Sequence, residues 1–358
     1  MGESKVTNIQ SITVRRLART AAAIILLGSQ ILTVAQASAG PGRVDRYPFH
    51  DPAPNPTNPP PGSYSYQVYV PAHHNTASSW PLFVMVHGCG TTADEQMYAN
   101  GINDIADQES FLVMYPDNGG NCWRAVTQEA SSIERGGGGD ADLIAEMTQE
   151  TMANYNIDPE RVYIIGMSSG AFQTTANAAA YPDIYAAAGV MAGGGYGMDF
   201  VGCMLIPDLA APLYSMRAIN QMGVRARVIP FISLGGTSDP LGETPILGCT
   251  RKAFIEAMAT NNLLNGNRYT LDPSSSVNGQ VPGGYSWSKQ VWRDTSGCRI
   301  GERWVINGMG HFWSGGSSDP QWAEWTDPKG PNAGRAAWDF FSRYRKSDTG
   351  GNCTESSQ

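Results

Sequence analysis

The chain has 358 residues, enough for one large domain or two ordinary ones. Hydrophobic residues make up 41% and charged residues only 16%, with a formal net charge of −8. The basic residues Lys5, Arg15, Arg16 and Arg19 fall in the first 39 residues against Glu3 alone, so the remainder is more acidic still; this argues against nucleic acid or an anionic membrane as a partner.

Residues 1–39 read as a secretory signal peptide. Arg15, Arg16 and Arg19 form a basic region, Ala21 to Ala35 is mostly apolar, and Ala37-Ser38-Ala39 supplies small residues before Gly40. The apolar run is shorter than the roughly 20 residues that span a bilayer, so cleavage is expected rather than anchoring. Export could use the Sec route or, given Arg15-Arg16, a twin-arginine route, and the expected location is extracellular. Six cysteines, Cys89, Cys122, Cys203, Cys249, Cys298 and Cys353, suit an exported protein with disulfides. None forms Cys-x-x-Cys or has histidines at zinc-ligand spacing, so no metal is expected.

Residues 40–62 are proline-rich and predict an extended linker, since proline lacks the ladder donor. A folded domain is expected over 63–346, with a short tail over 347–358. Tyr64, Tyr66, Val68 and Val70 alternate with Ser65, Gln67 and Tyr69, the period of a half-buried strand. Pro81 to Val86 and Phe111 to Pro116 are continuous apolar runs, the pattern of strands covered on both faces. A helix is predicted between them, from Glu95 to Gln108. Gly136 to Gly139 read as a hinge, with Asp140 as N-cap of a helix over 141–154. Arg161 to Gly166 predict another buried strand, Ala171 to Ala180 a helix, and Ala186 to Ala192 and Arg227 to Leu234 two more strands. A helix over 250–261, strands over 286–293 and 303–307, and an amphipathic helix over 333–344 complete the pattern. Buried strands alternating with helices indicate an α/β fold with a mainly parallel sheet and helices on both faces.

Four loops follow predicted strands and should share the carboxyl edge of that sheet. In chain order they are His87-Gly88-Cys89-Gly90, Gly166-Met167-Ser168-Ser169-Gly170, Gly235-Gly236-Thr237-Ser238-Asp239-Pro240 and Gly308-Met309-Gly310-His311. The second is a Gly-x-Ser-x-Gly turn between strand and helix, the setting that lifts a serine nucleophile off a sheet. His311 is the only histidine after Ser168; the others are His50, His73, His74 and His87. Asp239 is the acid candidate because it closely follows a strongly apolar strand, with Glu243 as the substitute. Ser, then Asp, then His is the chain order of the α/β-hydrolases. The N–H groups of Cys89 and Ser169 are the expected oxyanion donors. His87 is expected to order its loop rather than act as a base. Trp123 and Trp313 are candidate substrate contacts, and Trp322 and Trp325 lie close behind in the chain.

With these residues in view, the chain from Ser63 to Tyr344 resembles the polyhydroxybutyrate-depolymerase family of esterases, relatives of the feruloyl and acetylxylan esterases. The resemblance rests on Pro81 to Cys89, Tyr115-Pro116, Asn121-Cys122-Trp123, Gly139-Asp140, Gly166 to Gly170 and Gly310 to Gly316. It implies an α/β-hydrolase fold, a Ser168–Asp239–His311 triad, no cofactor and a Cys249–Cys298 disulfide. Cys89–Cys122 is a reasonable second pair, leaving Cys203 with Cys353. The sequence departs from the family pattern at Gly235-Gly236, at Arg124-Ala125-Val126 and at Ser314, all near the expected substrate. No separate polymer-binding module is expected. The leading expectation is a secreted serine esterase acting on a polyhydroxyalkanoate, another polyester or a short hydroxy-ester. A feruloyl or acetylxylan esterase is the alternative, and a non-catalytic binding protein on the same scaffold a distant one.

Overall fold

The computed structural model describes residues 42–49, 64–244, 247–266 and 272–348. Its centre is a ten-stranded sheet in the order β1-β2-β4-β3-β5-β6-β7-β10-β9-β8. In chain order the strands are β1 (Arg43–Phe49), β2 (Tyr64–Val70), β3 (Trp80–Val86), β4 (Leu112–Asp117), β5 (Ile157–Met167) and β6 (Ala187–Met191). They continue with β7 (Phe231–Gly236), β8 (Ser275–Gln280), β9 (Ser286–Arg293) and β10 (Arg299–Ile306). The stretch from β4 through β3, β5, β6 and β7 to β10 is parallel throughout. Antiparallel strands finish both ends.

The central strands are continuous apolar runs because each face is covered. Leu82, Val84 and Val86 of β3 join one hydrophobic cluster, together with Ala141, Ile144 and Phe254. Phe83 and Met85 point the other way, into a cluster with Met97, Ile105, Phe340 and Phe341. The helices supplying these residues are α1 (Ala93–Asn100), α2 (Ile102–Glu109), α4 (Asp140–Asn154), α8 (Cys249–Leu264) and α9 (Ala333–Phe341). A short α3 (Ala130–Ile133) precedes α4, and α5 (Ser169–Ala180) follows β5. The connection from β6 to β7 carries α6 (Phe200–Leu205) and α7 (Ser215–Met222).

Several expectations are corrected. Arg43–Phe49 lies in the stretch read as linker, yet pairs antiparallel with β2 along its whole length. The single helix expected over 95–108 is two helices, because Gly101 adopts φ 70° between them. The strand expected over 227–234 begins only after Pro230, at Phe231. Asp140 is not the N-cap of α4; Gly139 holds that position. The Asp140 carboxylate instead accepts from Arg124 N at 2.7 Å, Arg124 Nη2 at 2.9 Å and Tyr64 OH at 2.7 Å. The expected signal peptide, most of the expected linker and most of the expected tail lie outside the described residues.

The disulfides differ from expectation in two of three pairs, since a bond between Cys203 and Cys249 rules out both Cys249–Cys298 and Cys203–Cys353. Cys89–Cys122 is present as expected, but Cys249 pairs with Cys203 across 46 residues rather than with Cys298. The reason is placement: Cys249 opens α8, which packs against α6, where Cys203 resides. Cys298 is itself disulfide-bonded, and Cys353 lies outside the described residues.

Candidate active site

Ser168 occupies the step from β5 into α5 at φ 56°, ψ −122°. A non-glycine residue held at positive φ stores about 1–3 kcal/mol of strain, tolerated where the surroundings over-determine it. Here the surroundings do so. Ser168 N donates to Met191 O at 3.0 Å, tying the turn to the end of β6. A Cβ on Gly166 would stand 2.2 Å from Gly170 O, and one on Gly170 would stand 2.3 Å from the carbonyl oxygens of Val86 and His87. Only glycine at both positions lets the turn close on itself and against the end of β3. Ser169, the next residue, is buried within the first turn of α5, off the apex.

That contact brings the loop after β3 to the serine. A Cβ on Gly88 would lie 3.2 Å from Ser168 Cβ and 3.9 Å from its Oγ. His87 is fully buried, and its Nδ1–H donates to Gly88 O at 2.7 Å. Burial pushes its imidazole below the ordinary histidine value, so it serves as a neutral brace for the loop. Trp123 Nε1 donates to His87 O at 3.0 Å, the Cys89–Cys122 disulfide crosses beside it, and Gly90 N donates to Gly120 O at 3.0 Å. Three independent ties therefore hold the backbone carrying Cys89.

The loops after β7 and β10 are bound together. Thr237 N donates to Ile306 O at 3.0 Å, Ser238 N to Met309 O at 3.1 Å, and Gly308 N to Thr237 Oγ1 at 2.9 Å. Their side chains meet as Asp239 Oδ2 and His311 Nδ1, 2.9 Å apart. The Asp239 carboxylate is almost wholly buried and its Oδ1 accepts from Leu241 N at 2.9 Å, whereas the His311 side chain is 38% exposed. A buried carboxylate on Nδ1 leaves Nε2 of His311 as the ring nitrogen free to exchange protons. Ser168 Oγ and His311 Nε2 are not hydrogen-bonded to each other among the described residues. Glu243, the substitute acid, is committed elsewhere: buried, it forms an ion pair with Arg303, whose Nε is 3.0 Å from Glu243 Oε2.

The tryptophans fall differently from expectation. Trp123 and Trp313 are fully buried, with Trp313 Nε1 donating to Asn100 O at 3.2 Å. Both brace loops from inside rather than line a substrate surface. Trp325 is half-buried, and its Cη2 would be 3.6 Å from a Cβ on Gly90, next to Cys89. Beyond it Trp322 stacks on Tyr98, with ring centroids 5.7 Å apart, and Tyr98 is 51% exposed. The spacing of these residues from His311 was visible in the sequence; which of them is sealed in and which stays partly accessible was not.

Similarity to known proteins agrees with this architecture. The chain is 30% identical to poly(3-hydroxyalkanoate) depolymerase C of Paucimonas lemoignei over 263 residues, 70% of the chain and 59% of that protein. It is 38% identical to an acetylxylan esterase of Coprinopsis cinerea over 149 residues, 40% of the chain but only 37% of that protein. The chain thus spans less than two thirds of the length of each. A solved acetyl xylan esterase from Aspergillus awamori shares the fold at TM-score 0.59 and 20% identity, covering 84% of this chain and 99% of that one. The mainly parallel sheet, with helices on both faces, is an α/β-hydrolase fold. Residues 64–206 match the Esterase PHB depolymerase family model.

Proposed function

We propose that this protein is an exported serine esterase with Ser168, Asp239 and His311 as its triad. The observation that carries the reading is the 2.9 Å Asp239–His311 pair on the sheet edge where Ser168 is held at φ 56°. His311 takes the Ser168 proton as Oγ attacks an ester carbonyl, and returns it to the departing alkoxide. Asp239 holds the imidazole with its proton on Nδ1 and stabilises the imidazolium. The developing oxyanion is bound by the N–H groups of Cys89 and Ser169, the first on a braced loop and the second at the start of α5. Water activated by His311 then releases the acid from the acyl-enzyme.

For substrate, a polyhydroxyalkanoate or related hydroxy-ester is favoured because the likeness to the depolymerase runs over 70% of the chain. An acetylxylan or feruloyl ester is the second reading, supported by higher identity to the acetylxylan esterase over a shorter stretch. Export is supported by the signal-like first 39 residues and by two disulfides. The test is a panel of polyester film, acetylated xylan and methyl ferulate, with fluorophosphonate labelling and peptide mapping alongside. Clearing of polyester with an adduct on Ser168 is expected. Release of acetate or ferulate without clearing would transfer the assignment to the second reading, and absence of adduct on Ser168 in folded protein would remove the serine mechanism.

A further inference from the structure

Thr250 stands outside the four loops that meet at the sheet edge. It is the second residue of α8 and is fully buried. Its hydroxyl is used in both directions. Oγ1–H donates to Leu241 O at 2.9 Å, and Oγ1 accepts from Gly193 N at 3.0 Å. Its own N–H also donates to Leu241 O at 2.9 Å.

The two partners lead to the reacting groups from opposite sides. Leu241 N donates to Asp239 Oδ1, so the residue that Thr250 grips also orients the carboxylate facing His311. Gly193 packs on the nucleophile turn: a Cβ there would stand 2.6 Å from Ser168 O and 2.4 Å from Ala171 Cβ. We infer that Thr250 is a positioning residue that sets the distance between the Asp239–His311 pair and Ser168. The inference rests on the triad assigned above.

The anchorage of α8 suits such a role. Cys249, the preceding residue, is bonded to Cys203. Lys252, nearly fully buried, donates from Nζ to Cys203 O at 2.7 Å and to Met204 O at 3.2 Å, closing the end of α6. Arg251 Nε pairs with Asp208 at 2.5 Å. The first turn of α8 is therefore held by a covalent bond, a buried ammonium and an ion pair, and Thr250 projects from that fixed base between two loops. A β-branched side chain with a restricted χ1 keeps the hydroxyl at one angle. Displacement of a reacting group by about 1 Å can cost on the order of a hundredfold in rate, so a hydroxyl that fixes the spacing has leverage without touching substrate.

The experiment compares Thr250→Val, Thr250→Ser and Thr250→Ala with wild type and Ser168→Ala, using p-nitrophenyl acetate and a soluble hydroxybutyrate dimer ester. Valine keeps the shape and loses both hydroxyl bonds. A drop in kcat of roughly tenfold or more with KM changed less than about twofold is expected for T250V, and recovery of most of the kcat for T250S. A purely structural role would lower the melting temperature of T250V while the folded fraction turned over normally. That result, or equal kcat for T250V and wild type, overturns the inference. If T250V does not accumulate folded, T250A carries the same comparison against T250S, and folded T250A with wild-type kcat overturns it equally. Activity retained by S168A would refute the triad; an inactive S168A with unimpaired T250V would refute only the role of Thr250.

Discussion

Replacing Asp239 by asparagine tests the site at its most constrained bond. The carboxylate is nearly inaccessible to solvent, with Oδ1 accepting from Leu241 N and Oδ2 facing His311 Nδ1, both at 2.9 Å. An amide can match only one of these partners with its oxygen. If Oδ1 stays on Leu241 N, the NH2 group faces His311 and forces the ring proton onto Nε2, where the imidazole cannot accept from Ser168. If the amide flips, NH2 meets the buried Leu241 N–H, leaving a donor unsatisfied at about 1–3 kcal/mol. Either way the anion that steadies the imidazolium is gone, and a hydrogen bond to a charged group is worth about 1.5–3 kcal/mol. Turnover needs the flipped orientation, which alone keeps the ring proton on Nδ1, so for the reacting state the two terms add to about 2.5–6 kcal/mol, or roughly 10²–10⁴ in kcat. The Leu241 bond survives in the favoured orientation, so thermal stability should change little. The assay is steady-state hydrolysis of p-nitrophenyl acetate beside a thermal melt. A D239N enzyme within tenfold of wild-type kcat would show that the Asp239–His311 contact is structural and that proton transfer runs elsewhere.

Glu243→Ala strips Arg303 of its buried partner and should lower unfolding free energy by about 3–5 kcal/mol, read in a denaturant titration. Loss of turnover at unchanged stability would instead make Glu243 the acid. Trp325→Ala should raise KM for an extended substrate by roughly fivefold, about 1 kcal/mol, and leave p-nitrophenyl acetate unaffected, if the ring beside Gly90 forms the site wall. Burial pushes the Glu256 carboxyl up to about 7 against an ordinary value of 4.5. Its folded form thus favours the proton, and this contribution is complete below about pH 4.5 and lost as pH rises through 7, at most about 3 kcal/mol. Glu256→Gln should therefore gain stability over wild type at pH 8 and not at pH 4; parallel pH–stability curves for the two proteins would contradict this.

The parts of the fold that were legible are those whose burial is uniform. β3, β4 as far as Pro116 and β5 from Val162 onward are apolar because helices cover both faces, and their runs stand out for that reason; the first half of β5, with Asp158, Glu160 and Arg161, has no such run. The connection from β6 to β7 offers no such guide. Leu205, Leu209 and Leu213 there are 74%, 92% and 75% exposed, so apolar spacing does not report a buried face. β8 is the converse case, a polar edge strand whose residues are mostly exposed and which pairs antiparallel with β9. β1 was obscured by the prolines that follow it in the chain. Its place depends on β2, which presents a free edge that no local pattern announces.

The site shows the same division on a smaller scale. Where the chemistry demands a backbone shape, only glycine fits, and the demand is written at fixed spacing: Gly166 and Gly170 cannot carry a side chain without striking Gly170 O or the end of β3. Where a role depends on which way a side chain turns, neighbouring positions are equivalent until packing decides. Trp313 and Trp325 both follow His311 closely, yet one is sealed against Asn100 O while the other lies against Gly90. The cysteines follow this second rule, since Cys249 could reach either Cys203 or Cys298 in principle, and the packing of α6 against α8 decided for Cys203. Thr250 belongs there too. A hydroxyl that joins Gly193 to Leu241 has partners 57 and 9 residues away and no spacing of its own. Its part in the site arises from the same packed helix that redirected the disulfide, so reduction of Cys203–Cys249 and removal of the Thr250 hydroxyl should disturb the same pair of loops.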